Sequence, residues 1–367
     1  MTTLADIVRQ YGPAYEEKYG DRLLPSHRRT LRDIAQCRTP VMGGHVYQCA
    51  DCGETHYQYH SCQNRHCPQC QHQLGEQWLA RQRDLLLPVP YFMVTFTLPA
   101  ALHEVARQHQ KAVYNILFRT SAEALQQLAQ DPRYVGGQIG MVGVLHTWGR
   151  NLSYHPHVHY LVPGGGWSKS DGQWRPARRN FFVPVKALSV LFRAKFRDAL
   201  RQTNLFDQVP AAVWQQDWVV HCQPVGKGVG ALKYLAPYIF RVAISNRRIL
   251  KATNGNVTFR YQTTDTGRWH TCTLAAEEFL RRFLQHVLPK GFVKVRYYGL
   301  FSPSWRQHLS LIRASLTVTA ATDDLDAALA TLAHPVSALP VTTIPCPHCG
   351  QPMQWVKRLR PSARCPP

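Results

Sequence analysis

Residues 141–166 read MVGVLHTWGRNLSYHPHVHYLVPGGG, and their centre is His157-Val158-His159. With Tyr160-Leu161-Val162 following, the pattern alternates as a β-strand does, which turns both imidazoles to one face. Two neutral imidazoles on one strand face hold a metal ion while leaving most of its positions open. An ion held this way takes substrate oxygens and acts as a Lewis acid. In a chain with 18 histidines a lone pair of this kind is ordinarily incidental, so its surroundings decide its meaning. The strand is apolar on its other face and ends in Pro163-Gly164-Gly165-Gly166. A second strand just before it, Met141–Thr147, carries His146.

A chain of 367 residues accommodates two or three domains and a sizeable core. Lys and Arg number 43 against 22 acidic residues, a net charge of +21 that points to a polyanionic partner, most simply nucleic acid. The longest apolar runs, such as residues 85–96, contain Pro88 and Pro90 and are too short to span a bilayer, so no membrane association is expected. The opening MTTLADIVRQ lacks a basic segment followed by an apolar one, so no secretory signal is expected. The expected location is cytoplasmic, with the nucleoid. Eleven cysteines in an intracellular chain of this size point to metal ligands rather than disulfides.

Residues 1–36 form a helical segment, with Leu4, Ile7, Val8 and Tyr11 at packing positions. Residues 37–75 form a small zinc-binding domain. Cys49-x-x-Cys52 and Cys67-x-x-Cys70, fourteen residues apart, offer four thiolates to one tetrahedral zinc ion. A second zinc held by Cys37, His45, Cys62 and His66 is conceivable beside the simpler reading of surface histidines and buried cysteines. Arg38 and Arg65 suit phosphate contacts.

Residues 76–300 form the catalytic domain. Leu74–Leu87 has a helical pattern stopped by Pro88, Tyr91–Leu98 is a buried strand, and Ala101–Gln130 is a long helix. After the two central strands come a hairpin at Gly172, a helix over Val185–Arg201 and a strand over Asp217–Cys222. Strands recur at 257–262, 269–273 and 293–297, with a helix at 275–287. This order predicts an α+β fold, a largely antiparallel central sheet with flanking helices. The glycines at 226–230 lack P-loop spacing and suit a hinge before the next helix, although Lys227 among them could meet phosphate.

That helix, 231–242, carries Tyr234 and Tyr238 at i, i+4, on one face. Such a pair is ordinarily packing, and its weight comes from sharing a domain with the histidines. A tyrosine oxygen attacks a phosphodiester when a metal polarises the phosphate, and the covalent product keeps the bond energy. Arg241, Asn246, Arg247 and Arg248 follow closely and suit phosphate or base contacts, as does Arg150 in the central loop.

Ordered blocks along most of the chain resemble the HUH-type, two-tyrosine rolling-circle transposases of bacterial insertion sequences, the IS-ninety-one type. They are CRTPVMGGH (37–45), SCQNRHCPQC (61–70), FMVTFTLP (92–99), LHTWGRNLSYHPHVHYLVPGGG (145–166), KYLAPY (233–238), RVAISNRR (241–248) and FLRRFLQHVLPKGFVKVRYYGL (279–300). The resemblance implies an HUH endonuclease-like fold, His157 and His159 on Mg²⁺ or Mn²⁺, Tyr234 and Tyr238 as nucleophiles, and an N-terminal zinc-binding domain. It implies a transposase that nicks and joins single-stranded DNA at transposon ends and target through a 5′-phosphotyrosine. The chain departs from the family pattern at Pro237, which kinks a helix and sets Tyr234 apart from Tyr238, and at Arg150. A replication initiator would use the same chemistry, and a non-catalytic zinc-dependent DNA-binding protein would need neither histidines nor tyrosines.

Two histidines rarely hold a labile divalent ion alone. His146 is the candidate third ligand, because Trp148–Pro156 is long enough to turn the chain back beside His157. Asn151, Gln138 or a residue of the tyrosine helix are the competitors. Residues 301–367 form an extension with a short helix at 323–332. Cys346-Pro-His-Cys349-Gly there is half of a zinc ribbon, followed only by Cys365, so metal through His348 or Cys365 and an unstructured tail both stay open.

Overall fold

The computed structural model describes residues 2–70, 85–227, 243–263, 267–321 and 344–362. Strands are numbered along the chain. The organising sheet has five, in the order β12 (Val295–Gly299), β4 (Gly140–Trp148), β5 (Tyr154–Pro163), β3 (Pro90–Thr97), β8 (Val220–Lys227). Every neighbouring pair in it is antiparallel. The α+β organisation with an antiparallel sheet and flanking helices is therefore the observed one. β3, PYFMVTFT, is almost wholly β-branched and aromatic, which suits a central position buried on both faces.

One face of the sheet carries Phe92, Val94, Phe96, Val158, Tyr160 and Leu145 into the main core, under the helices His103–Gln108, Gln110–Gln130 and Val185–Arg201. The expected single helix 101–130 is interrupted at His109, whose backbone leaves the helical region. Tyr160 fixes β5 to the helices: its hydroxyl donates to the Phe118 carbonyl at 3.0 Å and lies 2.9 Å from Ser121 Oγ. Its ring needs glycine on the neighbouring strand, since a Cβ at Gly143 would meet Tyr160 at 2.5 Å.

The other face changes character along its length. Met93, Val142, Val144 and Leu161 pack under Leu300, Phe301 and the helix Leu309–Ala321. Further along the same strands the alternation brings Thr95, Thr97, His146, His157 and His159 to this face. The apolar cover stops there, and a cleft of about 680 Å³ opens.

The hairpin of β6 (Gly165–Ser168) and β7 (Gln173–Pro176) turns at Gly172, as expected. A second core joins distant parts of the sequence. Leu4, Ile7 and Val8 of the helix Leu4–Tyr19, with Leu31 and Ile34 of the helix Pro25–Gln36, share it with Phe279, Leu280 and Phe283 of the helix Ala276–Leu284. It also takes Val257 and Phe259 from a sheet of β9 (Ile249–Thr253), β10 (Asn256–Gln262) and β11 (Trp269–Ala275). β9 was not anticipated, because ILKAT is short and mostly exposed. The third sheet lies at the chain's ends: β1 (Gly44–Cys49) pairs with β2 (Thr55–Tyr59) and with β13 (Met353–Leu359). The expected helix 74–87 falls mainly, and that at 323–332 wholly, outside the described residues.

Candidate metal centres

The histidine cluster follows from strand register. β5 pairs with β4 so that His157 faces His146, and with β3 so that His157 faces Thr97 and His159 faces Thr95. Directly opposed residues point to the same face. One nitrogen from each of His146, His157 and His159 lies within 4.8 Å of the others. Ring centroids are 4.7 Å apart for His157–His159 and 5.0 Å for His146–His159. His146 is buried and stacks on Trp148 at 4.7 Å, which restricts its ring to one plane.

Two hydrogen bonds orient the half-buried pair His157 and His159. His157 Nδ1 lies 2.7 Å from the His155 carbonyl. A carbonyl only accepts, so Nδ1 carries the proton and Nε2 is left with its lone pair. His159 Nδ1 lies 2.9 Å from Thr95 Oγ1, and when the hydroxyl accepts from Nδ1–H the lone pair of the ring sits on Nε2. Such outer partners are what hold a metal-binding imidazole in one tautomer. Of the competitors for the third position, Asn151 Oδ1 accepts from Ser153 N at 3.2 Å within the loop, and Gln138 sits in an isolated bridge with Trp167. The segment 228–242 contains no His, Asp, Glu, Asn, Gln or Cys. Among the described residues no carboxylate lines the cleft.

The β4–β5 loop is held from below. Gly149 N donates to Ser153 O at 2.8 Å, and Leu152 adopts a left-handed φ of 65° with its side chain buried in the second core. His286 ties this loop down, with Nε2 3.2 Å from the Leu152 carbonyl and Nδ1 3.3 Å from Thr147 Oγ1. No sequence pattern marked His286. Its burial pushes the imidazole down to about 4, from an ordinary 6.5. Above pH 6.5 it is neutral folded and unfolded. As pH falls from 6.5 towards 4 the unfolded chain takes up a proton that the folded chain refuses, so stability falls by up to about 3 kcal/mol. Urea titrations across that window should show a steeper loss for the wild type than for His286→Gln, by up to about 1.4 kcal/mol per pH unit. Equal slopes would mean that His286 is charged in the fold.

Arg150 and Arg248 line the cleft beside the histidines. Arg150 Nη1 donates to the Gln262 carbonyl at 3.0 Å and to the Thr263 carbonyl at 3.1 Å, while Arg248 Nε donates to the Arg260 carbonyl at 2.9 Å. These bonds hold both cations on the rim, beside Tyr261. Arg38, Lys227 and Arg247 are exposed. Two residues expected at DNA, Arg65 and Asn246, have backbone partners within the chain. Arg65 Nη2 donates to the Pro289 carbonyl at 2.7 Å and Nη1 to that of Phe292, and Asn246 Oδ1 accepts from Leu4 N at 3.0 Å. Tyr234, Tyr238 and Arg241 lie outside the described residues.

The cysteines partition differently from the sequence expectation. Cys49 and Cys52 do not meet Cys67 and Cys70. Cys67 and Cys70 join Cys37 and Cys62. Sulfur separations there are 3.5 Å (Cys62–Cys70), 3.6 Å (Cys37–Cys70) and 3.7 Å (Cys37–Cys67). A tetrahedron with metal–sulfur bonds of about 2.3 Å has edges of about 3.8 Å, so the quartet fits zinc. A disulfide would need about 2.05 Å. His45 and His66, expected with Cys37 and Cys62, belong elsewhere. His66 Nε2 accepts from Leu288 N at 3.3 Å, and His45 Nδ1 accepts from Trp355 Nε1 at 3.2 Å. Cys49 and Cys52 instead approach Cys346 and Cys349.

Comparison with known proteins finds two families along the chain. A family described as "Transposase zinc-binding domain" matches residues 7–98, and one described as "Putative transposase" matches residues 140–308. The chain is 42% identical to "Putative transposase y4qJ" of Sinorhizobium fredii (strain NBRC 101917 / NGR234), over 83% of this chain and 81% of that protein. It is 29% identical to "Transposase for insertion sequence element IS801" of Pseudomonas savastanoi pv. phaseolicola, over 74% of this chain and 70% of that protein. No solved structure matches.

Proposed function

The chain belongs to the two-tyrosine transposases of the IS91 type, and we propose from that premise that it nicks and joins single-stranded DNA through a 5′-phosphotyrosine intermediate. The observation that carries the reading is the trio His146, His157 and His159 at the open end of an antiparallel sheet, beside two arginines. When bound there, a divalent ion supplies Lewis-acid polarisation of the scissile phosphate. Three nitrogens, with no carboxylate among the described residues that line the cleft, suit Mn²⁺ better than Mg²⁺, which prefers oxygen ligands. Arg150 and Arg248, fixed at the rim, position the phosphates on either side.

The nucleophile is Tyr234 or Tyr238. Its oxygen loses a proton and bonds to phosphorus, the bond from phosphorus to the 3′ oxygen breaks, and that oxygen leaves with a proton as a 3′-hydroxyl. The reverse attack by a 3′-hydroxyl reseals a strand and frees the tyrosine without ATP. The assignment rests on the family and on the two tyrosines at i, i+4 in the sequence.

Single-stranded substrate is supported by the sheet at the chain's ends. Tyr57 and Tyr59 stack at 6.1 Å on one face of this sheet, with Tyr57 more than half exposed, and the register through Val46 brings Lys357 of β13 to the same face. Aromatic faces beside a cation suit unpaired bases and phosphates. Labelled oligonucleotides from the ends of the insertion element, single-stranded or duplex, test the reading with Mn²⁺, Mg²⁺ or EDTA. The expected result is one cut in the single strand, strongest with Mn²⁺ and absent in EDTA. Cleavage in EDTA, or of duplex alone, would overturn it.

A further inference from the structure

We propose that Cys49, Cys52, Cys346 and Cys349 hold a second structural zinc ion, which ties the two ends of the chain into one module. The family match to a zinc-binding domain ends at residue 98, so the C-terminal pair lies well beyond it. Cys49 Sγ lies 3.5 Å from Cys349 Sγ, and Cys52 Sγ lies 3.6 Å from Cys346 Sγ. These are near the edge lengths of a tetrathiolate zinc tetrahedron, about 3.8 Å, and far from a disulfide bond.

The two halves are built alike, which is independent of those distances. Each is Cys-x-x-Cys-Gly. In the first, Gly53 N donates to Cys49 O at 3.0 Å and Gly53 has a φ of 71°. In the second, Gly350 N donates to Cys346 O at 2.9 Å and Gly350 has a φ of 76°. The backbone amide of the first cysteine also bonds across each turn, Cys49 N to Glu54 O at 2.9 Å and Cys346 N to Gln351 O at 2.7 Å. Two matching knuckles facing each other present four sulfurs to one point.

The module has little else to hold it. Its core is Cys49, Cys346 and Met353, with Tyr47 and Ile344 packed against them. A cluster that small does not support an independent fold, and domains of this size ordinarily rely on a metal or a disulfide. β13 adds to the free edge of β1 in six paired positions, from Gly44 with Leu359 to Cys49 with Met353. The ion therefore sets whether β13 is attached to β1, and with it whether Lys357 reaches the sheet face that carries Tyr57 and Tyr59. Each thiol gives up its proton on binding, so the site weakens in acid.

The test counts zinc in the full-length protein after brief EDTA dialysis to clear the histidine site. The wild type should retain two zinc ions per chain, and Cys346→Ser/Cys349→Ser should retain one. One ion in the wild type, or two in the variant, would overturn the proposal. A second measurement needs no variant. Cys52 and Cys349 are exposed, so as free thiols they would alkylate readily with N-ethylmaleimide. In the zinc-loaded wild type all four cysteines should resist labelling, and a strong chelator should release them together. Labelling of Cys349 at the rate of an unliganded thiol in the zinc-loaded protein would overturn the assignment.

Discussion

Replacing His157 and His159 together by alanine should reduce metal-dependent strand cleavage by about 10³-fold or more while leaving the fold and DNA binding in place. Metal polarisation of a phosphoryl oxygen contributes several kcal/mol to a transition state, and each 1.36 kcal/mol is about a factor of ten in rate. The two rings lie half-buried at the cleft floor, not in a core, so their removal leaves no sealed cavity. His146 alone offers one nitrogen, too few to retain a labile ion. Thr95→Val is the graded companion: it removes the hydroxyl 2.9 Å from His159 Nδ1 but no ligand. A loss of about 10–100-fold in apparent metal affinity is expected there, with maximal rate recovered at high Mn²⁺. Cleavage rates against metal concentration, with thermal melting as the folding control, check both. Full activity in the double variant would remove the histidine trio from the mechanism.

The histidine centre was legible because its parts are close in sequence. A two-residue period and an apolar opposite face place His157 and His159 on β5. The short connection Trp148–Pro156 then allows few registers, and the observed one sets His146 opposite His157. Thr95 and His286 were not legible. Each acts through a contact made 64 or more residues away, which no local period encodes. The cysteines show the same limit. Two Cys-x-x-Cys pairs with zinc-like spacing invited a single site. The partner of Cys49 lies 300 residues on, a separation that only the folded chain reveals. One signal was available: glycine follows Cys52 and Cys349, whereas glutamine follows Cys70. The left-handed turn after the second cysteine distinguishes the two knuckles that pair. Arg65 and Asn246 carry structural contacts that the sequence did not show. A basic or amide side chain near a cluster of charge suits phosphate, but the same donors and acceptors serve buried backbone groups, and here they do.

Tyrosine attack is the central claim, and Tyr234→Phe/Tyr238→Phe should abolish it, because phenylalanine lacks the oxygen that bonds to phosphorus. Each single variant should keep DNA binding, and the pair should cost cleavage entirely while leaving zinc content unchanged. The direct measurement is mass spectrometry of the covalent complex. The wild-type protein is incubated with Mn²⁺ and a single-stranded oligonucleotide from its element's end, digested, and searched for a peptide carrying a nucleotide. The account predicts a 5′-linked phosphotyrosine on Tyr234 or Tyr238, absent without metal and absent from the double variant. An adduct on another residue, or one that persists in Tyr234→Phe/Tyr238→Phe, would contradict it.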